Sequence, residues 1–166
     1  MEHIKGYNYE YSLVKAETVG YDENKFITGF YIAKLNENKT KWIDCVCDVN
    51  ETDNPQFYEV NPYTICRNTC IKDKNKNYIF EFDLVKVYTM GQFENYAYIE
   101  HSELYNSFIA RTQSGGFYHL DRMQFEVIGN IFNNEDYKLF EEKGKEIAQN
   151  FKEDYSRCCY SKGVNL

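Results

Sequence analysis

Thiols are the side chains of this sequence whose spacing comes closest to a chemical site. Cys45-Val46-Cys47 and Cys66-x-x-x-Cys70 form two pairs, and four thiolates that converged would make a tetrahedral zinc centre. The spacing argues against one. Zinc knuckles place two residues between their cysteines at a turn, whereas Cys45 and Cys47 lie in a run that reads as a strand, where side chains two apart share a face. Buried, reduced thiols are the simpler reading, and no metal is expected. Cys158 and Cys159 are adjacent and poorly placed to bond to each other. For acid, base or nucleophilic work the candidates are His3, His101, His119, Glu81, Asp83 and Asp121, yet no pattern sets a nucleophile beside a base, so no catalytic residue is assigned. His101 and His119 are expected on neighbouring strands as rim histidines. Ser114-Gly115-Gly116 lacks the Lys-Ser/Thr and the following helix of a phosphate loop. A hairpin turn, with both glycines free to take positive φ, explains it better.

These residues are carried by a chain that reads as mainly β. Alternation over residues 4–16, a turn at Tyr21-Asp22-Glu23-Asn24, and extended runs at Phe26 to Leu35, Trp42 to Val49 and Phe57 to Val60 predict an N-terminal antiparallel β region over 1–65. Asp73 to Asn77 are turn formers. Beyond them Tyr78 to Met90, Asn95 to His101, Ser107 to Thr112, Gly116 to Leu120 and Phe125 to Phe132 read as five strands, the count of a small barrel over 66–133. Asn134 followed by Glu135 and Asp136 is a helix start. Tyr137, Phe140, Gly144, Ile147, Phe151 and Tyr155 then make one apolar stripe, so a C-terminal α-helix is predicted over 134–156, with a tail at 157–166. The stripe residues Tyr137, Phe140, Ile147 and Phe151 are candidates for a homo-oligomer interface.

Three segments also carry a resemblance. Thr69-Cys70-Ile71-Lys72-Asp73-Lys74-Asn75-Lys76 with Ile79-Phe80-Glu81-Phe82-Asp83-Leu84-Val85 resembles the "TGLKDKNGKxIYEGDIV" signature of YopX-like proteins. Phe125 to Asn134 is similar to the family's "EVIGNIYEN", and Asn61-Pro62-Tyr63-Thr64-Ile65 to its "DPETV". The resemblance covers roughly residues 26–133 and implies an SH3-like β-barrel in the C-terminal half. Cys70, Lys76 and Phe82 each stand where the family has glycine, so a left-handed backbone there is either strained or re-routed. YopX-like proteins occur in phages and prophages and have no established enzymatic activity. The resemblance therefore implies an accessory protein of a mobile element.

Composition narrows the function classes. Nineteen basic against 26 acidic residues give a net charge of −7, which disfavours a nucleic-acid backbone as partner. No apolar run reaches the roughly 20 residues needed to span a bilayer, and the N-terminus lacks a signal peptide's apolar segment, so a cytoplasmic protein in the host cytosol is expected. Sixteen Tyr and 12 Phe suit both strands and interfaces. The leading expectation is a non-enzymatic, oligomeric binding module that contacts a host or phage protein, with no cofactor. A second class is a small-molecule, nucleotide-like binder, in which tyrosine-lined surfaces with Arg67, Lys72, Lys74 or Arg111 hold a ligand by stacking and charge. A metal-dependent hydrolase is the least favoured. Asp73, Glu81, Asp83 and His119 complete the candidate binding set; the acidic pair Glu81 and Asp83 could equally cap turn amides.

Overall fold

The computed structural model describes residues 13–20, 25–35, 42–48 and 56–132. They fall into two compact units, one ending at Ile65 and the other beginning at Cys66. The helix expected over 134–156, its stripe Tyr137, Phe140, Ile147 and Phe151, the tail and His3 lie outside the described residues. Among the described residues the sole helical element is a 3-10 turn at Pro62–Thr64, and no helix is long and apolar enough to cross a membrane.

The first unit is built from four strands, β1 (Leu13–Glu17), β2 (Phe26–Leu35), β3 (Trp42–Asp48) and β4 (Phe57–Glu59). Each pairs antiparallel with the next. The sheet then curls until its first strand meets its last. Thr18 bridges Val60, the Val19 amide donates to the Glu59 carbonyl at 2.8 Å, and the Asn61 amide donates to Glu17 at 2.9 Å. Inside the curl Val14, Ala16, Ile27, Tyr31, Val46, Val60 and Ile65 form one core. Such curvature needs a residue without a side chain where strands approach closely. Gly29 is that residue, because a Cβ there would lie 2.0 Å from the Cys47 carbonyl oxygen. The Asn61-Pro62-Tyr63-Thr64 segment is fastened to the end of β1. Asn61 caps the Tyr63 amide (3.2 Å) and donates to Glu17 (3.3 Å), while the Thr64 hydroxyl accepts from the Glu17 amide (3.0 Å).

The second unit contains β5 (Cys66–Lys72), β6 (Tyr78–Phe80), β7 (Asp83–Thr89), β8 (Gln92–Ser102), β9 (Ser107–Thr112), β10 (Phe117–His119) and β11 (Gln124–Asn130). A five-stranded antiparallel sheet runs in the order β10-β9-β8-β7-β11. The β5–β6 hairpin docks on it through the Asp73 turn. The Lys74 amide donates to the Phe125 carbonyl at 2.9 Å, and the Val127 amide donates to the Asp73 carboxylate at 3.2 Å. Ile79, Val85, Val87, Ala97, Ile99, Ala110, Leu120 and Phe125 make the core. Leu84, Tyr98 and Ile109, which alternation places on the opposite face, are also buried.

Two expectations need correction. The strand predicted from Tyr78 to Met90 is two strands, because Glu81 and Phe82 turn between β6 and β7. Phe82 takes φ +66°, yet its amide donates to Ile99 (2.8 Å) and its carbonyl accepts from Ile131 (3.0 Å), so the sheet continues through the break. A strand not read from the sequence, β5, precedes the Asp73 turn. Its alternation is hidden by a register shift between Asn68 and Lys72, with Cys70 left-handed at φ +63°.

Candidate functional site

Arg67, Lys72, Asp73, Lys74, Glu81, Asp83 and Arg111 each have a partner inside their own unit. Asp83 is fully buried and accepts from the Phe80 amide at 2.9 Å and from the Asn130 side chain at 3.3 Å. The Asn130 amide group also lies 3.5 Å from the Cys66 sulfur, and its oxygen accepts from the Phe132 amide. A buried carboxylate is stable only when its lone pairs are filled. This one is filled by backbone and amide donors and ties β7 to the end of β11.

Glu81 forms a two-pronged ion pair with Arg67, both contacts at 2.7 Å. The Arg67 guanidinium lies 5.2 Å from the Phe108 ring centre. The fork geometry fixes β5 against the β6–β7 turn. Asp73 is buried and accepts from the amides of Asn75 and Asn77 at 2.9 Å each, besides that of Val127. The three carboxylates offered as binding groups are thus structural ties.

The cations are engaged as well. Lys74 contacts Glu126 at 2.9 Å and lies 4.2 Å from the Tyr88 ring centre, and the Tyr88 hydroxyl donates to the same carboxylate at 2.6 Å. The Tyr88 hydroxyl, followed by Lys74, holds the Glu126 carboxyl below its ordinary range. Glu126, followed by Tyr88, raises the Lys74 amine. Arg111 pairs with Glu100 at 2.8 Å and stands 5.6 Å from the Phe117 ring. Lys72 lies over Tyr78 at 4.5 Å.

Arg111 and His119 are brought to one surface. Around them the rings of Tyr105, Phe117 and His119 sit 5.0 to 5.4 Å apart. Tyr105 and Phe117 were not singled out in the sequence, since they come from a turn and a three-residue strand with no shared period. His101 and His119 do not lie on neighbouring strands, because β9 runs between β8 and β10. His101 pairs with Phe108 and His119 with Ile109, adjacent residues of β9 and therefore opposite faces.

The thiols divide in the same way. Cys45 and Cys47 do share a face, with Cys47 between Phe30 and Phe57 in register. Cys45 is buried, and that burial pushes its thiol above the ordinary range, with Lys34 opposing the rise and Glu59 and Asp44 adding to it. Cys66 is buried and Cys70 exposed. Among the described residues no group of three or more His, Cys, Asp and Glu could hold a metal. Ser114-Gly115-Gly116 closes the β9–β10 hairpin, but only Gly115 has positive φ, at +88°.

The Asp83–Asn130 tie, the Asp73 turn and the Asn61 cap fall in the three segments that carry the sequence signature. A family model described as "YopX protein" matches residues 20–137, well over half of the 166-residue chain. The chain belongs to the YopX family. Neither the characterised proteins nor the solved structures give a match. In this YopX protein the three positions where the family has glycine keep the glycine conformation, with φ +63° at Cys70, +69° at Lys76 and +66° at Phe82. The backbone is strained there and not re-routed, at about 1–2 kcal/mol per residue.

Proposed function

We propose that this YopX protein is a non-enzymatic phage or prophage accessory protein that acts in the host cytosol as a homo-oligomeric binding module and docks on another protein, of the host or of the phage. The observation that carries the reading is a row of apolar side chains on the outer face of the first sheet. Phe30, Cys47 and Phe57 are paired across β2, β3 and β4, and the two rings are 45% and 46% exposed. Aromatic side chains held on a rigid sheet are the usual anchors of a protein interface. The charged residues of the candidate binding set, Arg67, Lys72, Asp73, Lys74, Glu81, Asp83 and Arg111, are meanwhile occupied by structural partners, which favours contact surface over a charged pocket. The curled sheet of the second unit, with β5–β6 docked against β11, supports reading it as an SH3-like barrel.

The test is affinity capture from a phage-bearing host, with wild type and Phe30→Ser/Phe57→Ser as baits. The expected result is one protein retained by the wild type and lost by a variant with an unchanged circular dichroism spectrum and melting temperature. Equal retention by both baits would remove the first sheet from the interface.

A second reading has its own observation. The Tyr105, Phe117 and His119 rings beside Arg111 could stack a planar, nucleotide-like small molecule. Against it, Arg111 is already neutralised by Glu100. Native mass spectrometry of the purified chain before and after denaturation separates the two, since a released small mass would favour the ligand.

A further inference from the structure

A thiol, a carboxamide and a carboxylate of the second unit converge where three of its strands begin or end. Cys66 opens β5, Asp83 opens β7 and Asn130 closes β11, and they are 0%, 0% and 2% exposed. They meet at one nitrogen. The Asn130 side-chain nitrogen lies 3.5 Å from the Cys66 sulfur and 3.3 Å from Asp83 Oδ1, while Asp83 Oδ2 is held by the Phe80 amide at 2.9 Å. The other end of the same carboxamide is engaged too, since its oxygen accepts from the Phe132 amide at 3.1 Å.

These are the parts of an acyl transfer. The thiol is the nucleophile, the carboxamide is the electrophile, and a carboxylate that touches the amide nitrogen can carry a proton to it. The Asn130 carbonyl carbon is one bond from the nitrogen that the sulfur already contacts. Its oxygen gains negative charge when sulfur adds, and the Phe132 N–H is placed to stabilise that charge as an oxyanion donor does. A buried thiol in apolar surroundings is ordinarily inert because it stays protonated. Cys66 differs in having a carboxylate and a carboxamide at hand. The fold holds nucleophile and electrophile together, which replaces an encounter between separate molecules, and burial keeps out the water that would hydrolyse the product.

We infer that Cys66 and Asn130 join in an autocatalytic thioester, with Asp83 as the proton carrier. The thiol proton passes to the Asp83 carboxylate, the sulfur adds to the Asn130 carbonyl carbon, and the carbon–nitrogen bond breaks as Asp83 hands the proton to the departing nitrogen. One S–C bond replaces one C–N bond, ammonia leaves, and nothing is oxidised or reduced. Dilution of the ammonia into solvent draws the exchange forward. The product ties the first strand of the second unit covalently to its last, where the hydrogen-bonded cluster already joins them. It is a single self-modification that needs no partner, so it stands independently of the docking role proposed above.

Mass spectrometry of the full chain tests it, with the protein unfolded at mildly acidic pH in the presence of a maleimide. The expected wild type is lighter than its sequence by one ammonia, leaves Cys66 unlabelled, and yields on digestion a peptide pair bridging Cys66 to Asn130. Hydroxylamine should open the link, leaving a thiol at Cys66 and a hydroxamate at Asn130. Cys66→Ala and Asn130→Ala should each keep the full mass of their own sequences. A wild type of full sequence mass with Cys66 labelled would overturn the inference, and that result requires no variant to fold. An ammonia loss that persists in Cys66→Ala would overturn it as well, because the loss would then come from an asparagine that closed on its own backbone. A complete link in Asp83→Asn would take Asp83 out of the step.

Discussion

Two turns of the second unit follow the same path with different residues. In each, an amide three residues on donates to the first carbonyl, Lys76 to Asp73 at 3.0 Å and Gly115 to Thr112 at 3.1 Å, and the outer pair is closed by a bond from Asp73 to Asn77 or from Thr112 to Gly116. The fourth residue is left-handed in both, Lys76 at +69° and Gly115 at +88°. Glycine meets that demand freely and lysine does not. The difference lies in what holds each turn. The Thr112–Gly116 turn ends a hairpin at a sheet edge and is held by its own hydroxyl contacts. The Asp73–Asn77 turn is fixed from within by the Asp73 carboxylate and from without by β11, through Phe125 and Val127. Strain of this kind persists where the surroundings over-determine the conformation. The tied Asp73–Asn77 turn carries lysine at its left-handed position, and the Thr112–Gly116 turn carries glycine there.

The comparison breaks most readily at Asp73. Asp73→Ala leaves three amides without their acceptor, and a charged acceptor's bond is worth about 1.5–3 kcal/mol, so a loss of about 3 kcal/mol or more is expected in chemical denaturation. A loss below about 1 kcal/mol, the scale of a single neutral hydrogen bond, would show that β11 alone holds the turn. Exchanging the two left-handed residues is the sharper probe. Gly115→Lys should destabilise by about 1 kcal/mol, as left-handed strain outweighs the entropy removed from the unfolded chain. Nothing lies within 4 Å of a Cβ at Gly115, so a steric clash does not confuse the result. Lys76→Gly should stabilise, by about 0.5 kcal/mol, because relief of strain exceeds the added unfolded-state entropy. A destabilised Lys76→Gly would mean that the lysine side chain contributes a contact that offsets its backbone.

The physical reason why parts of this fold were legible runs along the same line. β8, β9 and β11 read correctly because their alternation is local and their partners add to it. β5 was hidden because Cys70 in its bulge reverses the alternation midway. The split between β6 and β7 was hidden because a buried Phe82, in place of the family's glycine, looks like one more strand residue. Among the site residues, identity was visible and purpose was not. Arg67 finds Glu81 and Asp83 finds Asn130 only after 14 and 47 residues of chain have folded. The Tyr105, Phe117 and His119 patch likewise exists only once β9 and β10 have paired.

The smallest expected effect concerns the outer tie of the Asp73 turn, the contact of Lys74 with Glu126 and Tyr88. Glu126 has its acidity strengthened by the Tyr88 hydroxyl and then by Lys74. A carboxylate whose folded pKa is depressed below the ordinary 4.5 contributes stability that is complete above that value and is lost as pH falls through the lower, folded one. Lys74, raised above 10.5 by Glu126 and then Tyr88, contributes below 10.5 and loses its contribution as pH rises past its folded value. Between these limits the tie is whole. Glu126→Gln keeps the shape and an acceptor for Tyr88 while removing the charge, so its melting temperature should lie below the wild type's at pH 7. The gap should narrow as pH is lowered below 4.5 and through the depressed folded value, and it should also narrow in about 1 M salt, where screening reaches about 3 Å. Gly115→Lys, at the turn that lacks this tie, should keep a constant offset from the wild type over the same acid range. A Glu126→Gln gap that persists unchanged at low pH would assign the effect to packing, and the Asp73 turn would then owe its tolerance of lysine to its buried hydrogen bonds alone.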